Sequence, residues 1–236
     1  MFDETNTSQE KKWHYRQTAE QALRHFRRRH IEGQYFDSCQ EALTTVLGLI
    51  PEGAVVGCGD SVTLQQAGIV AALRDRQRNE LLDPFERHED GNLVMDDDER
   101  LRVMRRVLTS DIYLSGTNAI TMDGRLVNID GRGNRVAPMI FGPEKVFIVA
   151  GANKIVKNVE EAIRHIKDVE APVNARRHAI KHHREMFNDL PCVRTGVCND
   201  CAHDYRICNA TVIIEGARIV EKGRINVFII GEDLGI

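Results

Sequence analysis

The run Val146-Phe147-Ile148-Val149-Ala150 carries no polar side chain and leads straight into Gly151. A strand of that composition needs cover on both faces, which an interior position in a helix-flanked parallel sheet provides. Ala54-Val55-Val56 and Ile112-Tyr113-Leu114 are further apolar runs of strand length. Segments with apolar residues at helical spacing lie between them, so the expected fold class is α/β with an open, largely parallel sheet.

The forty residues from Ser115 to Lys154 are the densest in turn and strand signals. Two Asp-Gly turns, Asp123-Gly124 and Asp130-Gly131, bracket the alternating run Leu126-Val127-Asn128-Ile129. Thr117, Asn118, Thr121, Asn128 and Asn134 gather where strands are expected to end. In an open α/β sheet, ligands sit in the crevice beyond the carboxyl ends of the strands. Tight turns alone also explain each Asp-Gly pair, since glycine adopts positive φ at little cost.

Earlier in the chain, Ser8 to His30 is a basic helix that packs through Ala19, Ala22, Leu23 and Phe26, and Gly33 is expected to end it. Gln34 to Phe36 is a short strand, followed by a helix to Leu49 capped by Asp37 or Ser38. The strand Ala54 to Gly57 then enters Cys58-Gly59-Asp60-Ser61 and a single helix from Val62 to Arg74. A helix start behind a glycine-flanked loop offers free N–H groups to an anion, which makes Gly57, Gly59, Asp60, Ser61 and Thr63 a candidate cradle. An ordinary capped βα loop reads the same way. Cys58 has no base near it in sequence, and small buried cysteines are common.

Leu81-Leu82 is a further short strand, and Asp96 to Glu99 start a helix that runs to Thr109. Beyond Lys154 one helix spans Ile155 to Lys167, and Pro172 opens a second, Val173 to Met186. The second carries a cationic face, on which His178 and His182 are spaced to share a metal. Thr211 to Ile214 and Ile225 to Ile230 are strands whose connection is expected to be antiparallel. Glu232 and Asp233 follow, either closing over the crevice or capping the terminus.

Six cysteines in a chain without the apolar core of a signal peptide suggest metal or redox chemistry more than disulfides, and cytoplasm is the expected compartment. Cys192, Cys198, Cys201 and Cys208 form C-x5-C-x2-C-x6-C. The C-x2-C pair chelates zinc or iron–sulfur clusters, and the outer cysteines complete four thiolates. His203 is spaced to replace one of them, and four unligated thiols in a surface loop is the alternative. The net charge of −3 gives no reason to expect nucleic acid, and no apolar run approaches the ~20 residues that span a bilayer.

Together, GDSVTLQQAGI, TNAITMDGRLVNIDGRGNRVAPMIFGPEKVFIVAGANKIV, PCVRTGVCNDC with RICN, and GEDLG resemble the LUD-domain family, also called the lactate-utilisation or DUF162 family. The resemblance covers about Ala54 to Ile236. It implies a three-layer sandwich like that of ribose-5-phosphate isomerase and the CoA transferases, and for some relatives a part in L-lactate oxidation beside iron–sulfur partners. Asp123 and Asp130 fall where the isomerases carry an acidic turn, but Thr117-Asn118 stands where an acidic pair would be expected. That departure argues against sugar-phosphate isomerisation.

The expected organisation is N-terminal helices over 1–50, an α/β core over 51–190, and a cysteine-rich loop with C-terminal strands over 191–236 of the same domain. The first functional reading is a subunit or enzyme acting on a small carboxylate, with Asp123 or Asp130 as general base. Thr117, Asn118, Asn128, Asn134, Arg135 and Lys154 would supply ligand contacts beside the glycine loop. With no dinucleotide fingerprint, redox chemistry would run through a cluster on the cysteines or through another subunit. A metal- or cluster-binding assembly subunit and a small-anion sensor are the alternatives. The expected partners are a small anionic metabolite, iron–sulfur subunits and a second copy of the chain, with no nucleic acid and no membrane.

Overall fold

The structure is a computed structural model that describes residues 4–236, so residues 1–3 of the expected N-terminal segment lie outside it. The chain opens with helix α1 (Ser8–Arg28), strand β1 (Glu32–Phe36) and helix α2 (Cys39–Gly48). Ala19, Ala22, Leu23 and Phe26 form the buried stripe of α1, and Ser38 caps α2 by accepting from the Glu41 N–H. The left-handed residue after α1 is His30, at φ 61°, while Gly33 lies inside β1. Gly33 is needed there because a Cβ would come within 2.6 Å of the Leu23 side chain, so it lets α1 approach the sheet.

Strand β2 (Val55–Cys58) leads to helices α3 (Val62–Gln66) and α4 (Ile69–Arg76), then β3 (Glu80–Leu82), α5 (Asp97–Arg106) and β4 (Ile112–Ser115). The single helix expected over 62–74 is broken at Gly68, whose φ of 71° reverses the backbone between two short helices. Next come β5 (Ala119–Thr121), β6 (Leu126–Asp130), α6 (Val136–Ile140), β7 (Lys145–Gly151) and the short β8 (Ile155–Val156). Helix α7 (Val159–His165) passes through a π-helical turn, Ile166–Glu170, into α8 (Ala171–Lys181) without a break. The two separate helices expected here are one run: Pro172 sits in the first turn of α8, and the preceding backbone widens around its missing N–H. Helix α9 (Pro191–Thr195), β9 (Ala210–Ile214) and β10 (Ile225–Ile230) complete the chain.

Among the described residues, six strands form a parallel sheet in the order β1-β10-β7-β4-β2-β3. One face packs on α2, α3 and α4 through Val46, Leu64, Ile69, Leu73 and Phe147. Along β7 and β10 the side chains alternate, so Ile148 and Val227 point to the opposite face, where Phe26 of α1 joins the core. This is the α/β sandwich with helices on a largely parallel sheet that the apolar runs imply.

A second sheet, β8-β5-β6-β9, covers that opposite face. Ile120, Leu126 and Ile214 join the central core, while Ala119, Val127 and Ile129 face Ala162 and Ile166 of the α7 run. The expected antiparallel link between β9 and β10 is absent: β9 pairs antiparallel with β6, and β10 lies between β1 and β7 in the other sheet. Burial explains the separation. β10 is covered on both faces, as an interior parallel strand must be, whereas β9 leaves alternate side chains exposed at an edge. No helix among the described residues is long and apolar enough to cross a membrane.

Candidate functional site: a crevice at the reversal of the sheet

The chain leaves β2 toward β3 on one side and leaves β4 toward β7 on the other, so the crossovers reverse between β2 and β4. Such a reversal opens a crevice beyond the strand ends, because the two loops turn away from each other. A cleft of about 760 Å³ lies there. Asp60, Ser61 and Thr63 from the loop after β2 line it together with Gly116, Thr117 and Asn118 from the loop after β4. The segments following β7 and β10 add Lys154, Gly235 and Ile236. Seven lysines and arginines line the cleft against five carboxylates, an excess that favours an anionic guest.

Lys154 and Glu170 are the most deeply buried charges of the cleft, at 4% and 3% exposure, and they form an ion pair through Nζ and Oε1. Lys154 Nζ also donates to the Ile236 carbonyl, and Asn118 Nδ2 donates to the second Glu170 oxygen at 2.6 Å. A buried pair persists only when such extra bonds offset its desolvation. The π-helical turn helps to aim Glu170 inward. Sequence reasoning missed Glu170, although its spacing from Ile163 and Ile166 puts a carboxylate on an otherwise apolar helix face.

Arg135 organises the next layer. Its guanidinium donates to Asn128 Oδ1 at 2.5 Å, Asn118 Oδ1 at 2.8 Å and the Ile129 carbonyl at 2.9 Å, and its Nε lies 3.3 Å from Asp130. Asp130 lines the cleft, but its carboxylate also accepts the Arg132 and Gly133 N–H groups, so it caps its own turn. Asn134 lines the same wall. Asn128 is fully buried behind the lining: its oxygen accepts from Thr117, from the Asn118 N–H and from Arg135, while its Nδ2 has no partner.

Three other predicted residues lie away from the cleft lining. Gly57 and Gly59 are packing positions, where a Cβ would come within 2.7 Å of Val107 and 2.6 Å of the Tyr113 hydroxyl. With α3 only five residues long, the expected glycine cradle reduces to Asp60, Ser61 and Thr63. Asp123 sits on the β5–β6 turn, bonded to Thr121 and ion-paired with Arg125, while its carbonyl accepts from Arg29, just past α1. The tight Gly124 turn, at φ 81°, rests on the α1 backbone at His25 and Phe26. Of the two terminal carboxylates, Glu232 accepts from the Cys39 N–H at the start of α2, and Asp233 binds Lys11 and Tyr15.

At the other end of the cleft, Asp60, His178 and His182 bring three ligand atoms within 4.8 Å of one another. The surroundings do not suit a cation. Arg177 holds both Asp60 oxygens at 3.2 Å, and Arg87 contacts His182 Nδ1. A guanidinium only donates, so it assigns the ring proton to Nε2, which faces Asp60 at 3.9 Å and has no hydrogen-bond partner. Burial, reinforced by the arginines, lowers the His178 pKa below its usual value and that of His182 to about 3, so both rings are neutral near pH 7. Burial pushes Asp60 upward, but the charge and hydrogen bonds of Arg177 outweigh it and hold the carboxyl below its ordinary range. Cys58 is buried, and its thiol is pushed well above the usual range, which leaves it unreactive.

Cys192, Cys198, Cys201 and Cys208 are free thiols that line one small pocket beside the cleft. His203 is elsewhere, with Nδ1 accepting from the Tyr205 N–H.

A family model described as the LUD domain matches residues 19–230. Among solved structures, the chain is similar to a DUF162 family protein from Deinococcus radiodurans at 12% identity and a TM-score of 0.48, over 92% of this chain and 97% of that one. It is also similar to ribose 5 phosphate isomerase A from Neisseria gonorrhoeae at 15% identity and a TM-score of 0.31, over 58% of this chain and 65% of that one. No curated protein matches the chain.

Proposed function

Because this chain belongs to the LUD-domain family, which is associated with lactate utilisation, we propose that its cleft takes a small carboxylate such as L-lactate or its 2-oxo counterpart. Lys154 and Glu170 then serve as the proton-transfer pair. The observation that carries this reading is a buried, oppositely charged pair at the floor of a crevice lined by an excess of cations. Lys154 donates to an oxygen of the guest, and Glu170 accepts a proton from it. Asn118 keeps the Glu170 carboxylate aimed, and Arg135 keeps Asn118 in place. The proton acceptor is therefore Glu170 rather than Asp123 or Asp130, whose carboxylates are engaged in their own turns.

Calorimetric titration tests the reading, with L-lactate and pyruvate as ligands and uncharged lactamide as control. Both anions should bind with Kd of about 1 mM or tighter, an affinity of roughly 4 kcal/mol, and lactamide should not. Replacing the pair together, as Lys154→Met with Glu170→Gln, removes the buried charges without orphaning either and should weaken the anions at least tenfold. Asp123→Asn should bind as the parent does. Equal affinity for lactamide and lactate, or no binding of either acid up to about 10 mM, removes the proposal.

A further inference from the structure

The cysteine segment stands outside that acid–base machinery. Cys192 belongs to α9, Cys198 and Cys201 to the loop beyond Gly196, and Cys208 to the approach to β9, yet all four reach one pocket. Each thiol is half-buried, and the pocket is almost entirely apolar. Arg206 braces the same group. It donates to the Cys201 carbonyl and, at 2.8 Å, to that of Cys208, and it reaches the Cys208 sulfur at 3.6 Å. Donors to ligand sulfur of this kind support metal–thiolate centres.

The wall between this pocket and the cleft is shared. Ala171, Arg206 and Ile207 line both, and Ala171 directly follows Glu170. Among the described residues, only Asp60, His178 and His182 bring three ligand atoms within 4.8 Å of one another. No three of the cysteine sulfurs therefore lie within 4.8 Å of one another, whereas tetrahedral Zn–S bonds of about 2.3 Å would bring all four to roughly 3.8 Å. A metal either draws the loop inward or fills a larger cage with one thiolate on each iron.

We propose that Cys192, Cys198, Cys201 and Cys208 form a four-thiolate site for a thiophilic metal, zinc or an iron–sulfur cluster, and that the bound group anchors the wall shared with the cleft. Binding releases the thiol protons and leaves the oxidation state of the sulfurs unchanged. The inference goes beyond the carboxylate reading and does not depend on it.

The experiment is anaerobic purification of the full chain, followed by metal analysis and an absorption spectrum. Brown protein absorbing near ~400 nm with iron and sulfide identifies a cluster, and colourless protein with one zinc per chain identifies the smaller ion; either supports the site. Cys198→Ser and Cys201→Ser should lose the metal, whereas Cys39→Ser should keep it. Folded protein that carries no metal, and takes up neither zinc nor a cluster on reconstitution, overturns the site. Hydrogen exchange with and without metal tests the wall, with about tenfold or greater slowing expected in residues 203–209 and, across it, 166–174. Metal binding that slows only the first of these segments overturns the anchoring.

Discussion

The floor of the cleft and the cysteine pocket share a wall but are held by different means. On the floor, every charged group is bonded by side chains from separate packed elements: Lys154 follows β7, Glu170 ends the π-helical turn, and Asn118 and Arg135 connect β4 to β6. In the cysteine segment, residues 196–209 form no helix or strand, and Arg206 supplies most of the bonds near the sulfurs. The first region is preorganised by the fold, and the second has the chemistry of a site that needs a bound group to cross-link it. A ligand meeting the first encounters charges already positioned, and a metal entering the second does the positioning itself.

The largest expected effect lies on the floor. Glu170→Ala leaves the Lys154 ammonium buried without its partner and should destabilise the protein by about 3–5 kcal/mol, read from urea unfolding. A loss under about 1 kcal/mol would show that the floor relaxes freely, and the contrast between the regions would fail. The double variant, Lys154→Met with Glu170→Gln, should recover most of the loss.

The second effect depends on pH and belongs to the Asp60 end of the cleft. Unfolded His182 takes a proton near pH 6.5, whereas in the folded protein burial holds its pKa near 3. Its contribution is therefore complete above pH 6.5 and drains as the pH falls toward about 3. His178 and Asp60, both also lowered, weaken in the same acid direction. His182→Gln should reduce the slope of stability against pH by up to about 1.4 kcal/mol per pH unit between pH 6 and 4. Parallel unfolding curves for parent and variant across that range would contradict a neutral, buried ring.

The smallest effect is expected in the cysteine pocket. In protein stripped of metal by a chelator, Cys198→Ser should change stability by less than about 0.5 kcal/mol, as a half-exposed loop position does. A loss of several kcal/mol without metal would mean that the segment is packed as tightly as the floor.

Several features were legible along the chain because they follow from local chemistry. The apolar run at Val146 placed an interior parallel strand, the α1 stripe placed its buried face, and Asp37-Ser38 marked a cap that Ser38 supplies. Thr117, Asn118 and Asn134 were placed by the rule that ligands gather beyond strand ends and Asp60 by the helix start behind the glycine-flanked loop, and all four line one cleft. The pairing of β9 with β6 rather than β10 was not legible, since strand partners are chosen by long-range burial and leave no mark at short spacing. Asp123 and Asp130 look alike in sequence, as Asp-Gly turns on either side of one short strand. Only Asp130 reaches the cleft, because β6 carries it to the other end of the sheet.

By itself, then, the order of residues determined which segments must be buried and which turns must be tight, because hydrophobic periodicity and backbone sterics act over a few neighbours. Only the tertiary structure decided which charges meet. Glu170 reached Lys154 through a widened helical turn, and the four cysteines reached one pocket through a loop with no regular structure. Those meetings depend on how separate elements pack, and packing is a property of the whole chain.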